Sequence, residues 1–278
     1  MKKLIFILLF CINLLGDSRI ITLSPSINEI VFALGLGDKI VANTLYCNYP
    51  EESKSIKKIG GYASISLEKL IASKPSVVIA QNYDQKLLKD LERLEINTLI
   101  FKTDTLASIK KTIKVLGDYF KKEDRAEELI SNIDNGLASL GEIIKDKKVL
   151  FVISPRKSLT NQIYVTGNNL YFEDIILASE NRNAFFSTSL VQPIVNTEKI
   201  IDMNPDIIVL LAPLIEGQFK AQDALKEAWK ELPTNASKTG NIYMVAKHYA
   251  GIPSHRVVNF IDDYKEILNN VRNKQLQQ

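Results

Sequence analysis

Two segments 130 residues apart read alike, and that offset constrains the fold more than any other feature of the 278-residue chain. The first runs Ser66-Leu67-Glu68-Lys69-Leu70-Ile71-Ala72-Ser73-Lys74-Pro75-Ser76-Val77-Val78-Ile79. The second runs Asn196-Thr197-Glu198-Lys199-Ile200-Ile201-Asp202-Met203-Asn204-Pro205-Asp206-Ile207-Ile208-Val209. Ser66 and Asn196 are suited to cap a helix by accepting a backbone N–H bond. Pro75 and Pro205 disfavour helical geometry just before them, so both helices are short. The β-branched runs that follow are continuously apolar, as in parallel strands covered on both faces. A second pair shares the offset: Ile20-Ile21-Thr22-Leu23-Ser24-Pro25 and Phe151-Val152-Ile153-Ser154-Pro155 each end a strand in Ser-Pro. Two matches at one offset predict two similar α/β lobes, each built on a parallel sheet.

Between the repeats lies Lys121 to Lys147, with Leu129, Ile130, Ile133, Leu137, Leu140 and Ile144 at helical spacing. This predicts one long helix over 123–146, a rod of roughly 36 Å at 1.5 Å per residue. It divides the chain into an N-terminal lobe at 19–122, a connecting helix and a C-terminal lobe at 147–278, with a ligand cleft expected between the lobes. Residues 1–18 read as a cleaved signal peptide. Met1-Lys2-Lys3 is charged, Leu4 to Leu15 is apolar, and Gly16-Asp17-Ser18 is a small-residue end. Export from the cytoplasm is expected. Phe10-Cys11 is a poor lipoprotein box, because Phe10 is bulky and cleavage there would halve the apolar run.

Composition removes several function classes. The formal charge of +3 falls to +1 or +2 once the leader leaves, which gives no electrostatic footprint for nucleic acid. Without Cys11, Cys47 stands alone, so no disulfide framework supports the fold. There is no phosphate-binding Gly-rich loop, nucleophile elbow, paired-Cys zinc pattern or His-Glu-x-x-His motif. Gly35-Leu36-Gly37 follows a helix and not a strand, so it is a helix end. A non-enzymatic chain without a cofactor or dedicated metal site is expected. An exported enzyme on a two-lobed scaffold is the rival, and it would need a nucleophile–base pair at a strand end.

Thr22-Leu23-Ser24-Pro25-Ser26-Ile27-Asn28-Glu29-Ile30, Ala33-Leu34-Gly35-Leu36-Gly37-Asp38-Lys39-Ile40-Val41, Tyr46-Cys47-Asn48-Tyr49-Pro50, Gly60-Gly61, Leu67-Glu68-Lys69-Leu70 and Lys74-Pro75-Ser76-Val77-Val78-Ile79 together resemble the helical-backbone class (class III) of periplasmic binding proteins. That class serves ABC importers of cobalamin, haem and ferric siderophores. The second lobe carries the likeness more loosely, through Ser154-Pro155, Asn196-Thr197-Glu198-Lys199, Asn204-Pro205-Asp206 and Ser254-His255-Arg256. The cobalamin-binding branch resembles it most. The resemblance implies a monomer that captures a metal chelate such as a corrinoid and hands it to an inner-membrane permease. It also implies one permease-docking Glu per lobe, at Glu68 and Glu198. Tyr46 matches a ligand-contacting Tyr, and Tyr62 stands where a cleft Trp is found.

The remaining candidates follow strand ends, where ligands of open α/β sheets bind. They are Gln81, Asn82 and Tyr83 after one strand, Arg156 after another, and His248 with Tyr249 after Ile242-Tyr243-Met244-Val245-Ala246. Large planar ligands suit aromatic walls with a few polar anchors. A neutral His248 imidazole suits either a chelated metal or a carboxamide. Arg156 and Lys247 are the obvious cations for an anionic ligand. Ser254 is expected to cap a helix beginning at His255, with His255 structural.

Overall fold

The structure, a computed structural model, describes residues 18–62, 64–159, 162–187 and 192–277. The proposed leader 1–18, except its last residue, lies outside the described residues, as does Cys11. The chain forms two compact units, one of residues 18–28 with 35–100 and one of 29–34 with 101–277. Among the described residues, no helix is long and apolar enough to cross a membrane.

The first unit runs β1 (Ile20–Thr22), the start of α1 (Pro25–Ala33), β2 (Ile40–Ala42), α2 (Leu67–Ala72), β3 (Val77–Gln81), α3 (Gln85–Arg93) and most of β4 (Thr98–Phe101). Its sheet has the order β2-β1-β3-β4, with β1 parallel to both neighbours. Ile21, Leu70, Val78, Ala80 and Leu91 form its core. Gly35 ends α1 at a φ of 77°, the left-handed cap expected of it.

The second unit adds α4 (Leu106–Phe120), α5 (Glu123–Ala138), β5 (Lys148–Ile153), β6 (Ile163–Val165), α6 (Tyr171–Ala178), β7 (Arg182–Asn183), β8 (Ile194–Val195), α7 (Thr197–Met203), β9 (Ile207–Leu211), α8 (Phe219–Lys230), α9 (Asn235–Lys238), β10 (Ile242–Val245) and α10 (Val257–Leu276). Strands β10, β9 and β5 are parallel neighbours, and β7 joins β5 in parallel. β6 and β8 continue the sheet antiparallel, a departure from the all-parallel expectation. Only residues 154–162 separate β5 from β6, too few for the crossover of about a dozen residues that a parallel return needs.

The repeat is a structural repeat. Ser66 accepts the Lys69 N–H at 3.2 Å and Asn196 accepts the Lys199 N–H at 2.9 Å. Both helices close on a left-handed residue directly before the proline, Lys74 at φ 46° and Asn204 at φ 45°. β1 lies beside β3 as β5 lies beside β9.

The long rod is not found. α5 stops at Ala138 after 16 residues, about 24 Å of helix. The Ser139 hydroxyl bonds the Gly136 carbonyl, and Glu142 and Asp146 are left-handed, so Leu140 and Ile144 are buried from turns. Helical spacing past Ser139 is therefore a property of the burial pattern and not of a helix. α5 instead pairs with α4 across Gly117, where a methyl group would sit 2.4 Å from the Ala126 Cβ.

Candidate functional site

In the first unit a buried polar cluster holds the loop that carries Tyr46 and Tyr49. Asn28 Nδ2 donates to the Tyr49 carbonyl at 3.0 Å and to Ser53 Oγ at 2.9 Å. Asn43 Nδ2 donates to Asn28 Oδ1 at 3.1 Å, and Ser53 Oγ donates to the Cys47 carbonyl at 3.0 Å. Lys58 Nζ closes the cluster on Asn43 Oδ1, the Cys47 carbonyl and the Ser53 carbonyl, all within 2.9 Å. Burial holds this ammonium below the ordinary lysine range. The Cys47, Tyr49 and Ser53 carbonyls are thus all engaged from beneath, which fixes the path of the loop.

On the outside of that loop, Tyr46 and Tyr62 stack with ring centroids 5.0 Å apart and planes 20° apart. Gly61 makes the stack possible, since a Cβ there would meet the Tyr46 ring at 3.2 Å. Gly60 sits at φ 135° with the Ser64 carbonyl filling the place of a side chain. Tyr83 is close enough to Tyr62 to matter electrostatically: burial first, then Tyr83, Cys47 and Tyr46, push the Tyr62 hydroxyl up to about 12. Tyr46, Tyr62 and Tyr83 are 51%, 49% and 58% exposed, so the first unit presents a patch of three half-open phenols. Gln81 is buried at the end of β3 beside them in sequence.

In the second unit, Arg156 and Lys157 stand at a cavity of about 400 Å³ lined by Pro155, Ala212, Leu214 and Leu225. Neither cation bonds an acid among the described residues. Leu214 and Phe219 are 85% and 74% exposed. Sequence reasoning passed over both, although an apolar side chain in the Pro-Leu-Ile-Glu-Gly loop after a strand and an aromatic at the start of the following helix are readable signals. The same loop leads to His248, whose backbone N–H donates to Glu216 Oε2 at 2.9 Å.

His248 and Tyr249 are half-buried and both meet Arg256. The Arg256 guanidinium lies 3.2 Å from His248 Nδ1 and 5.7 Å from the Tyr249 ring centre. Tyr249 donates to Asp263 Oδ2 at 2.8 Å. Arg256 in turn makes a bidentate pair with Glu29, and the Ser254 hydroxyl donates to the same carboxylate. Glu29 and Arg256 are only 1% and 5% exposed. The sequence signal for this pair was an acid inside the apolar helix Ile27 to Ala33, because a buried carboxylate requires a partner.

Ser254 Oγ accepts the Arg256 N–H at 3.2 Å, as a capping side chain does, but the N-cap position itself is Arg256. α10 begins at Val257, and the Ser254 side chain is drawn to Glu29. His255 is packed inside: its Nδ1 is buried with no hydrogen-bond partner among the described residues, and burial with Arg256 and Arg125 nearby lowers its imidazole to about 4. The unfolded chain takes up this proton below about 6.5, while the folded chain resists it down to about 4. Stability is therefore lost as pH falls through that window, by up to about 3 kcal/mol. Urea unfolding from pH 7 to pH 4 is expected to show this slope, and His255→Gln to flatten it. An unchanged slope in the variant would contradict it.

Glu68 and Glu198 occupy the same place in the two units, the first turn of α2 and of α7, and both are exposed. Neither forms an ion pair among the described residues. No group of three or more His, Cys, Asp or Glu converges on a metal-sized site among the described residues.

A family model described as "Periplasmic binding protein" matches residues 20–249. The chain belongs to the periplasmic binding protein family. A vitamin B12-binding protein of Vibrio campbellii is 28% identical over 261 residues, covering 92% of this chain and 91% of that one. An uncharacterized ABC transporter substrate-binding lipoprotein of Bacillus subtilis, YvrC, is 27% identical over 260 residues, covering 89% and 79%. Among solved structures, the vitamin B12-binding protein BtuF of Vibrio cholerae superposes with a TM-score of 0.76 at 20% identity, covering 92% of this chain and 98% of that one. The periplasmic heme-binding protein BhuT gives a TM-score of 0.76 at 18% identity, covering 92% and 100%. These likenesses extend the family fold over nearly the whole described chain.

Proposed function

We propose that this protein is the exported, monomeric substrate-binding component of an ABC importer. It captures a corrinoid and delivers it to an inner-membrane permease. The observation that carries this reading is the Tyr46–Tyr62 stack, with Tyr83 near Tyr62, a half-open aromatic patch whose Tyr46 loop is held from beneath. A rigid phenol face suits a planar metal chelate, since aromatic rings give large contact area with little rotamer entropy to lose. Gln81 supplies an amide within the first unit, and Arg156, His248 and Tyr249 are the ligand contacts of the second. The full-length likeness to proteins named for vitamin B12 supports the choice of corrinoid.

Haem or a ferric siderophore is the second reading. Arg156 and Lys157, without an acidic partner among the described residues, stand at an apolar cavity and favour an anionic chelate. Trp229 is fully buried in the second unit's core, so its fluorescence reports folding, and calorimetry is the better assay. Tyr46→Ala is expected to weaken corrinoid binding by roughly 1–3 kcal/mol, the range of a stacked aromatic anchor. Undiminished calorimetric affinity in Tyr46→Ala would remove the aromatic patch from the ligand site.

A further inference from the structure

We infer that His248 is held as the tautomer protonated on Nε2, and so recognises an acceptor atom on the periphery of the ligand instead of coordinating its metal. The inference rests on His248 being a ligand contact, as proposed above, but the tautomer itself does not. Arg256 Nη2 lies 3.2 Å from His248 Nδ1. A guanidinium has donors only and stays charged in proteins, so Nδ1 must be the acceptor of this bond. In the neutral imidazole the proton then resides on Nε2.

Metal-ligating histidines show the opposite polarity. They donate the second ring N–H to a carboxylate or carbonyl, which leaves the metal-facing nitrogen with its lone pair. His248 has a fixed cation where that acceptor would stand. Arg256 cannot turn away to relieve this, because Glu29 grips it at two points and Ser254 grips Glu29. Glu29 and Arg256 are thus positioning residues for the imidazole. The atom they leave to a ligand is an N–H donor, suited to an amide carbonyl or a carboxylate oxygen on a chelate whose own coordination sphere stays intact.

Two measurements test this. In the ligand-free protein, nitrogen NMR of labelled histidine is expected to show a bare Nδ1 and a protonated Nε2 for His248, assigned by their disappearance in His248→Gln. A protonated Nδ1 with a bare Nε2 would overturn the inference whatever the protein binds. With diaquocobinamide, a corrinoid lacking its own axial base, the bound visible spectrum is expected to be the same in the wild type and in His248→Gln. A nitrogen-ligated cobalt spectrum lost in His248→Gln would also overturn it. His248→Gln keeps a donor and should bind within a fewfold of wild type, whereas His248→Ala should lose about tenfold, the worth of one hydrogen bond. Equal binding by all three proteins would overturn the donor role. Failure of every corrinoid to bind, with the expected NMR result, would defeat the corrinoid reading and leave the tautomer standing.

Discussion

Replacing Glu68 and Glu198 together by Lys is expected to abolish uptake in cells while leaving ligand affinity nearly unchanged. Both carboxylates lie in a helix first turn, and there the positive helix end alone would account for one acid, at about 0.3–1 kcal/mol. It does not account for the recurrence of the same acid at the same helical position 130 residues later, exposed and without an ion pair among the described residues in either unit. Their neighbours behave differently: Lys199 pairs with Asp202 at 2.8 Å, so the surface around Glu198 has the means to satisfy an acid and leaves this one open. A free carboxylate accepts a bidentate bond from an arginine, and complementary charges of that kind set encounter and register more than raw affinity. One such pair per unit would fix the register of the protein on its permease. Charge reversal at both positions is therefore expected to act on delivery. Normal uptake by the double variant at equal protein levels would remove the docking role. Weakened ligand binding would place these acids in the ligand site instead.

Arg256→Leu is expected to cost about 3–5 kcal/mol, because it strands the Glu29 carboxylate in a buried setting without its bidentate partner. For a chain of this size that loss should lower the melting temperature by roughly 10 °C. The double replacement Glu29→Leu with Arg256→Leu is expected to be closer to wild type than Arg256→Leu alone, since the penalty is the unpaired charge and not the absent bond. Additive losses in this cycle would show that the two side chains act independently. The effect should extend to His248, whose Nδ1 bond comes from the same guanidinium.

The fold was legible where local rules and global topology agree. Ser66 and Asn196 cap as their chemistry requires, Pro75 and Pro205 end the helices, and the β-branched runs are the buried centres of their sheets. Legibility failed where burial mimics periodicity. Leu140 and Ile144 keep helical spacing to Ile133 yet are buried from turns, because left-handed Glu142 and Asp146 leave no sign in a hydrophobic pattern. The antiparallel β6 turned on loop length, which periodicity does not carry.

For the site, strand-end position singled out Tyr83, Arg156 and His248 as candidates, whereas the close approach of the Tyr46 ring to Gly61 left no sign in the sequence pattern. The long-range partners were not readable. Glu29 and Arg256 are separated by 227 residues, and nothing at either position names the other. Nor does the sequence reveal that Lys58 is folded beneath the Tyr46 loop, where three oxygens make a buried ammonium tolerable.

The most direct measurement is isothermal calorimetry of the purified protein with cyanocobalamin, haemin and a ferric siderophore in parallel. A saturable, one-to-one heat with cyanocobalamin, stronger than with the other two and diminished in Tyr46→Ala, is the expected result. Saturable binding of haemin or the siderophore with no heat from any corrinoid would contradict the corrinoid assignment and move the ligand to the anionic chelates that Arg156 and Lys157 favour.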